Sequence, residues 1–480
     1  MEIGDLTAAE VRVWEAFARG ETVDLGGDAV RGEVLRELLL GDHRRQGEVA
    51  ALRVTAARVT GRLDLQYATV DSPVHLWACV FDNVLDLYGA QTRQLSLGES
   101  RLPGLHAIGL RVDGTLRMTR CRVTGPVRLA AARIAGAVFL DDARLGDAAD
   151  PADEPARADE SVLQLNRITV EDSLSARRMT VHGKVRLDAA VVGASLNLDD
   201  AELHNPGDTA LQAPTLSVGS DFNAMRLTAH GRVNLRGVRI PGHLNLGRAR
   251  LSNPGHMALR LSGAVVGELL LRGAEPIRGE VTLRRSQIDF IYLAPEAAPP
   301  TVWLEGLTYT TLAPHEPAER RLPLLEREKH GYVPHAYEQL TAAYRRMGDD
   351  AAARTVQLAK QRRHRGTLPA YARAWGHLQD ATVGYGFRPV RAAAWLVSLL
   401  LIGSVTFGLH EPRALKPDEA PAFNALAYTL DLLLPIIDFG QEKAYTPDGA
   451  AQWLAYGLIV TGWVLATAIA AGVTRTISRQ

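Results

Sequence analysis

The sequence is poor in cysteine, with only Cys79 and Cys121 among its 480 residues. Two cysteines cannot build a disulfide framework or a cysteine-rich metal site. Both occur at positions of an internal repeat, described below, that small residues occupy in other copies. We therefore expect both side chains to be buried packing residues.

The chain also lacks a net charge, because 54 lysines and arginines balance 54 aspartates and glutamates. A dedicated nucleic-acid-binding protein carries an excess of basic residues, so we expect no nucleic-acid partner. The opening segment, MEIGDLTAAEVRVWEAF, has no basic stretch followed by an apolar run. It is not typical of a secretory signal, which predicts that the N-terminal mass stays in the cytoplasm.

Signatures of enzyme active sites are missing as well. The sequence contains no GxGxxG after a strand, no Walker loop, no HExxH and no GxSxG. We therefore expect no enzymatic activity, no cofactor and no metal site.

An internal repeat fills residues 49–312. Each unit has an aliphatic residue, a glycine two positions later and aliphatic residues four and six positions later, and often an alanine nine positions later. The next unit starts eleven positions after the first, as in the copies at Val112, Val123 and Ile134. Such short strands bury their apolar face only by stacking on one another. The pattern predicts a mainly β fold, a β-solenoid in which two units, about 22 residues, form one coil.

Details of the repeat predict its turns. The glycine suits a corner that needs a positive φ or a tight bend. Residues 146–160, GDAADPADEPARADE, interrupt the repeat with an acidic, proline-bearing stretch, which predicts a flexible loop. Residues 204–207 and 252–255 share Asn-Pro-Gly and predict matching longer turns.

The surface of the solenoid has two readings. It is either a binding or assembly surface for protein partners, or a rigid scaffold whose visible residues all serve the core and the corners. A fold does not specify a function, so both readings stay open.

The ends of the solenoid expose unpaired strand edges and need caps. Thr7 and Glu10 form a capping-box pattern at the start of a predicted helix, and a second helix is predicted over 29–40. Residues 1–48 are therefore the predicted N-terminal helical cap.

Residues 313–380 predict a basic helical hairpin that connects the solenoid to the rest of the chain. Gly348 is expected to end its first helix, and Asp349 or Asp350 to cap the second. The second helix ends in a basic cluster with two readings, RNA binding and contact with anionic lipid head groups. Its position before apolar helices favours lipid contact. The cluster consists of Lys360, Arg362, Arg363 and Arg365.

Residues 381–480 predict a membrane domain with two transmembrane helices. Residues 392–409 and 453–473 contain no charged side chain, and both lengths fit a bilayer core of about 30 Å. Trp395 and Trp453 lie near the ends of the spans, where an aromatic belt is expected.

Basic residues predict the orientation of the two spans. They are frequent before the first span and recur after the second, at Arg475 and Arg479. The segment between the spans carries only Arg413, Lys416 and Lys443. The positive-inside rule therefore places both termini and the solenoid in the cytoplasm and the segment between the spans outside.

An apolar stretch between the spans, residues 423–437, is too short to cross a membrane and too apolar for an exposed loop. It predicts a re-entrant or interfacial helix that Pro435 ends, followed by a return segment from Asp438 to Gly440. The order of span, half-length helix, return segment and span is typical of a pore-loop ion channel protomer. Two spans cannot enclose a pore, so such a channel must be a homo-oligomer.

Asp431 lies within the apolar stretch, where an ionised carboxylate is costly unless it faces water or a partner. A ring of Asp431 or Asp438 from several subunits would favour cations. The predicted ion pathway therefore comprises Asp431, Pro435, Asp438 and Gly440. The alternative is an interfacial helix that packs on the outer leaflet or helps assembly, with both aspartates facing water.

Residues 382–386 spell TVGYG, the sequence of a potassium selectivity filter. A filter lies between a pore helix and the second span, whereas this segment precedes the first span. Its glycines and Pro389 instead predict a turn that starts the first span.

Three segments carry a family resemblance: residues 384–389, GYGFRP; residues 428–438, YTLDLLLPIID; and residues 462–467, GWVLAT. With these segments the chain resembles bacterial membrane proteins that join a pentapeptide-repeat-like or related β-helix to a two-span tail. The resemblance implies a bacterial plasma membrane protein. The eleven-position period departs from the A(D/N)LXX rule of strict pentapeptide repeats.

Two hypotheses of function follow. In the first, an oligomeric membrane protein senses or binds a partner through its cytoplasmic solenoid and conducts cations through its tail. In the second, a membrane-anchored scaffold recruits protein partners through the solenoid, and the tail anchors and oligomerises without conducting ions.

Overall fold

The computed structural model describes residues 6–41, 43, 47–146, 161–273, 275–373, 377, 389–416, 420–434 and 438–477. The chain divides into two compact units, Met1–Met347 and Gly348–Gln480. The division falls inside the predicted connector. The first unit contains the repeat, and the second is largely helical in its described part.

Short strands of the first unit pair in parallel, coil upon coil, and form two long sheets. The first sheet has 20 strands in the described part of the chain. In chain order they are Thr22–Asp24, Leu52–Thr55, Thr69–Val70, Val74–Trp77, Gln91–Thr92, Leu95–Ser96, Arg111–Val112, Leu116–Arg117, Arg133–Ile134, Val138–Phe139, Thr169–Val170, Leu174–Ser175, Val191–Val192, Leu196–Asn197, Ser217–Val218, Phe222–Asn223, Arg239–Asn245, Val265–Leu271, Gln287–Leu293 and Thr308–Ala313.

The second sheet has 17 strands among the same described residues. They are Ala29–Arg31, Arg58–Thr60, Val80–Phe81, Leu85–Asp86, Arg101–Leu102, Leu105–His106, Arg122–Val123, Val127–Arg128, Arg144–Leu145, Ser161–Gln164, Thr180–His182, Lys184–Arg186, Glu202–Gln212, Thr228–Asn234, Arg250–Arg260, Arg278–Thr282 and Thr301–Trp303.

Equivalent residues of successive coils are direct partners in these sheets. In the first sheet Leu95 pairs with Leu116 and Leu116 with Val138. In the second sheet Val123 pairs with Leu145. Each pair is separated in sequence by two repeat units, so the predicted coil of two units is confirmed. The fold is therefore a β-solenoid of about 11 turns, as predicted.

The acidic interruption leaves the stacking of the coils intact. Val127 pairs with Leu163, so this one coil is longer in sequence than a regular coil by the inserted segment. The coils before and after the interruption therefore pair directly with each other. Beyond Gly146, the predicted loop lies outside the described residues.

The positions of the repeat have fixed places in the coil. Inward-facing Val123, Val127 and Leu129 are at most 1% exposed, so the aliphatic positions build the core. The position nine residues after the first aliphatic is also buried, and Cys79 and Cys121 occupy it, as expected. Burial raises the pKa of the Cys79 thiol to about 11 and that of Cys121 to about 12, so both stay protonated at neutral pH.

Glycines of the repeat have a different role from the expected one in most copies. In the copies that start at Val112, Val123 and Ile134, the glycine has no positive φ, whereas Gly183 and Gly279 of other copies have one. At Gly125 an added Cβ would lie 2.4 Å from the Pro103 carbonyl oxygen of the preceding coil. Glycine is therefore required in such copies because successive coils approach closely there, and the positive φ falls elsewhere in the unit.

Left-handed residues recur eight positions after the first aliphatic residue, and most of them are not glycine. One edge of the solenoid alternates acid and base at this position. Salt bridges join Glu99 to Arg120, Asp142 to Arg178 and Asp200 to Arg226 across adjacent coils. We call this column the charge ladder. Its side chains are about one-third to three-fifths exposed, so solvent screens each pair and its contribution to stability is small.

The two Asn-Pro-Gly segments form the matching turns that the sequence predicts. The Asn205 amide donates a hydrogen bond to the Thr209 carbonyl oxygen at 2.8 Å. Asn253 makes the same bond to the Met257 carbonyl oxygen at 2.9 Å. Each turn is therefore closed by its own asparagine, and the two turns lie on alternate coils of the second sheet, in strands Glu202–Gln212 and Arg250–Arg260.

Two helices form the N-terminal cap, α1 (Ala8–Arg19) and α2 (Gly32–Leu40). Thr7 and Glu10 form the predicted capping box. Glu10 is 1% exposed, and its carboxylate also binds the Arg31 guanidinium at 2.8 Å. The Arg31 hydrogen bond is the main reason that the pKa of Glu10 falls to about 2.

Two helices cover the other end of the solenoid, α3 (Ala318–Glu326) and α4 (Pro334–Arg346). A short 3-10 helix, Pro295–Ala297, precedes them. The buried face of α4 includes Tyr337, Leu340 and Tyr344, which are spaced three and four residues apart.

The second unit begins with the helix that carries the basic cluster, α5 (Asp350–Arg365). Gly348 has a φ of +77°, and the Asp349 carboxylate accepts a hydrogen bond from the Ala352 backbone N–H at 2.9 Å. The predicted glycine stop and aspartate cap are therefore confirmed. Further helices of this unit are α6 (Pro389–Leu409), α7 (Ala425–Leu433), α8 (Gln441–Ala444) and α9 (Ala450–Ile477).

The close approach of the coils yields a test at two glycines. At Gly219 an added Cβ would lie 1.9 Å from the Gly193 carbonyl oxygen, whereas nothing lies within 4 Å at Gly263, whose φ is +67°. We expect Gly219→Ala to lower the free energy of unfolding by about 3 kcal/mol or more. Gly263→Ala should cost only about 1–2 kcal/mol, because it strains the backbone without a clash.

Denaturant unfolding of both variants, followed by circular dichroism, measures this difference. Equal losses of unfolding free energy in the two variants would show that the close approach of the coils is not the reason for glycine at position 219.

Candidate functional site

Helix α7 lies between the two long apolar helices of the second unit. Its buried residues Tyr428, Leu432 and Leu433 pack in one cluster with Phe407 of α6 and Leu458 of α9. The rings of Phe407 and Tyr428 meet edge to face, with centroids 4.9 Å apart. A half-length helix is thus held on both sides.

Glycines of α6 and α9 allow α7 to approach closely. At Gly403 an added Cβ would lie 2.3 Å from Thr429 Cγ2, and at Gly462 it would lie 2.2 Å from the Leu433 carbonyl oxygen. Any larger residue at either position would push α7 outward. The short helix is therefore seated in a notch that these two glycines create.

The C-terminal end of α7 reaches the middle of α9. Gly462, which contacts Leu433, lies about 18 Å from the start of α9 at Ala450, in a helix of 28 residues. Helix α7 itself has 9 residues and a length of about 14 Å. At its start, the Asn424 side chain accepts hydrogen bonds from the backbone N–H groups of Leu426 and Ala427.

The Asp431 carboxylate holds the segment that returns from α7. It is 5% exposed and accepts hydrogen bonds from the backbone N–H groups of Phe439 at 2.6 Å, Gln441 at 2.8 Å and Glu442 at 3.2 Å. Charged acceptors of this kind form strong hydrogen bonds with backbone N–H groups. The partner that the buried carboxylate requires is therefore the chain's own return segment.

Asp438 and Gly440 form the exposed bend of the return segment. The Asp438 carboxylate accepts a hydrogen bond from the Gly440 N–H at 2.8 Å, and Gly440 has a φ of +78°. Lys443 also binds the Asp438 carboxylate, and this contact keeps the pKa of Asp438 below its ordinary value. Asp438 is therefore an ionised, solvent-facing carboxylate at neutral pH.

Further contacts join the two ends of the segment between the long helices. Strands Arg413–Ala414 and Tyr445–Thr446 pair antiparallel. The Gln441 side chain, 6% exposed, accepts a hydrogen bond from the Asn424 N–H and donates one to the Ala422 carbonyl oxygen. The entry to α7 and the exit from the return segment are thus held together.

Some predicted site residues lie outside the described part of the chain. Pro435 is one of them, and so is the TVGYG segment at residues 382–386. The expectations for these residues stay predictions.

The basic cluster lies at the end of α5. Arg362 and Arg363 are exposed, and Lys360 and Arg365 are half-buried. Cations in the last turn of a helix interact favourably with the negative end of its dipole. The helix dipole alone therefore favours basic residues at this position, and the contact with lipid head groups stays a prediction.

Large apolar side chains of α6 and α9 face outward. They include Leu401 and Val405 on α6, both 61% exposed, and Trp453 and Val460 on α9, 77% and 64% exposed. Within the described residues, one helical stretch is long and apolar enough to span a membrane, Ala450–Thr467, and Ala393–Leu409 is a shorter apolar helix.

Comparison with known proteins yields no relative: no protein-family model, curated protein or solved structure matches the chain. The resemblance stated from the sequence and the predicted ion pathway therefore stay predictions.

Two parts of this site were not predicted. The close packing at the notch residues Gly403 and Gly462 could not be predicted, because glycines are common in apolar helices. The sequence also did not predict that the Gln441 side chain joins the return segment to the entry of α7. Asn424, by contrast, stands directly before the apolar run that becomes α7, which is a recognisable cap position.

Removal of the Asp431 carboxylate tests its role in holding the return segment. Asp431→Ala leaves three backbone N–H groups without their acceptor, and we expect a loss of about 2–4 kcal/mol in stability. Asp438→Ala, at an exposed position, should have a much smaller effect on stability. Hydrogen exchange at residues 438–442 should accelerate in the first variant only; unchanged exchange there would contradict the role.

The notch yields a second test in α9. Gly462→Ala places a methyl group against the Leu433 carbonyl, so we expect a fall in the melting temperature of the detergent-solubilised protein. Gly457→Ala is the matched control in the same helix, because nothing lies within 4 Å of its added Cβ. If Gly457→Ala lowered the melting temperature as much as Gly462→Ala, the contact between Gly462 and Leu433 would not be the cause of the loss.

Proposed function

We propose that this chain is an oligomeric integral membrane protein with a cytoplasmic β-solenoid sensing or binding module and a cation-conducting pore-loop domain. The observation that carries the proposal is the position of α7. A half-length helix enters between two apolar helices, ends halfway along one of them and is followed by a return segment that a buried carboxylate holds.

The dipole of α7 favours a cation. Its C-terminal end, at Leu433, has backbone carbonyl groups without partners in the helix, and they carry a partial negative charge. That end lies at the level of Gly462, about 18 Å along α9. In a membrane of low dielectric constant, a partial negative charge at this depth stabilises a passing cation more strongly than it would in water.

Exposure of α6 and α9 supports membrane insertion. Only 22% of Ala450–Thr467 is buried, whereas the core helix of a soluble domain is mostly buried, and this exposure supports a membrane location. The apolar part of helix α6, Ala393–Leu409, has 17 residues and a length of about 26 Å, close to the hydrocarbon thickness of about 30 Å. We therefore assign a span to each of the two helices. Basic residues before α6 and after α9 orient both termini and the solenoid toward the cytoplasm of a bacterial cell.

Asp431 and Asp438 have different roles in this proposal. Asp431 is a positioning residue, since its carboxylate is engaged with three backbone N–H groups of the return segment. Asp438 faces solvent at the bend beside Gly440, where Lys443 binds its carboxylate, and in this proposal it supplies negative charge at the mouth of the pathway. A ring of Asp438 residues, one from each subunit, concentrates cations there.

Ion flux into liposomes that contain the purified full-length protein tests the proposal. We expect a cation flux that Asp438→Asn lowers severalfold, because the ring loses its charge. Asp448→Asn is the matched control: it makes the same change of charge at another exposed position between the spans, where Asp448 pairs with Arg413 at 3.0 Å.

Each outcome is informative. Equal loss in both variants would assign the effect to overall charge and not to the bend at Asp438. Absence of flux from an oligomer, at all membrane potentials, would favour the membrane-anchored scaffold that recruits protein partners through its solenoid. A protein that is monomeric in both detergent and membrane would remove the channel altogether.

A further inference from the structure

An apolar cavity of about 40 Å³ lies under the C-terminal cap of the solenoid. The last coils supply Leu293, Leu304 and Leu312, and the cap helices supply Leu325 and Leu340. The cavity belongs entirely to the first unit. Three polar side chains share its wall: Tyr309, Arg321 and Gln339.

Arg321 is the unusual member of this wall. It is 3% exposed, yet it has no ion-pair partner among the described residues. Its guanidinium donates hydrogen bonds to the carbonyl oxygens of Leu293 and Pro314, the latter at 2.6 Å. A guanidinium has five N–H donors, so two acceptors leave donors available. Burial lowers the pKa of Arg321, because a charge is costly away from water, and the nearby carboxylates of Glu316 and Glu296 offset only part of that cost.

A second, smaller cavity adjoins the first. It shares Leu293, Arg321 and Leu324 with the first cavity and adds two more arginines, Arg320 and Arg327. Arg321 thus lines both cavities. Glu296 and Glu316 neutralise Arg320 through salt bridges, but neither carboxylate reaches Arg321 within ion-pair distance.

The phenol of Tyr309 adds a second donor. Its hydroxyl makes no hydrogen bond to the described residues, and burial raises the pKa of the phenol well above its ordinary value. The hydroxyl therefore stays protonated and can donate to an anion. Gln339, by contrast, is engaged, because its side-chain oxygen accepts a hydrogen bond from the Tyr309 backbone N–H at 3.5 Å.

We propose that this cavity binds a short-chain monocarboxylate, with the carboxylate on Arg321 and the alkyl chain among the leucines. The anion pairs with the buried guanidinium, and the alkyl chain contacts the leucine side chains of the wall. One water molecule needs about 10–15 Å³ of such space, so the cavity admits a chain of only a few atoms. The site does not depend on ion conduction by the second unit.

Butanoate is the probe, and the melting temperature of the full-length detergent-solubilised protein is the readout. We expect the melting temperature to rise with butanoate concentration, because a ligand that binds the folded state stabilises it. Butan-1-ol and butylammonium, at matched ionic strength, should bind at least tenfold more weakly, since neither supplies an anion to Arg321.

Two variants locate the site. Ala336→Leu extends a side chain into the cavity from α4 and leaves Arg321 in place, and it should weaken butanoate binding at least tenfold. Arg321→Gln should do the same by removing the charge. Arg345→Gln, which changes an exposed arginine of α4, should leave binding unchanged.

The proposal is overturned by any of three results. These are no stabilisation by butanoate, equal stabilisation by butylammonium, and full retention of butanoate binding in Ala336→Leu. The last variant keeps the proposal testable even if Arg321→Gln fails to fold, since Arg321 also binds two backbone carbonyl groups of the cap.

Discussion

The spacing between stacked coils is the constraint on which the first unit depends. Neighbouring parallel strands lie about 4.8 Å apart, so every residue faces its equivalent one coil away. This distance admits glycine alone where two turns meet, as at Gly219 above Gly193. It also brings side chains of equivalent turns within reach of one another, which is how the charge ladder forms. Local contacts repeated along one axis take the place of a single central core.

The period of the sequence was sufficient to predict this fold. Aliphatic residues four and six positions into each unit identify inward-facing strands, and pairing two units leads to the observed coil. The pattern did not reveal why its glycines are needed, because a clash such as that of Gly125 with Pro103 involves a residue one coil away. The repeat period also does not predict which outward-facing side chains of adjacent coils contact each other. The pairing of Asp142 with Arg178 spans the acidic interruption and has no counterpart at a fixed sequence distance.

In the second unit, composition predicted the apolar helices and the half-length helix between them. The arrangement of Asp431 was harder to foresee. A carboxylate in an apolar run indicates a buried partner, but the sequence does not distinguish water, an ion or a neighbouring subunit from the backbone of the same chain. Here three N–H groups of the segment that follows α7 are the partners. The charge that first suggests conduction thus serves the shape of the return segment.

The charge ladder has a consequence for how such a solenoid can lengthen or shorten in evolution. Its signs alternate from coil to coil, from Glu99 to Arg226. Loss or duplication of one coil would place two like charges side by side, whereas a change of two coils preserves the order. The two asparagine-closed turns, on alternate coils, mark the same double-coil interval. Between Glu99 and Arg226, a gain or loss of coils in pairs therefore keeps every acidic side chain next to a basic one.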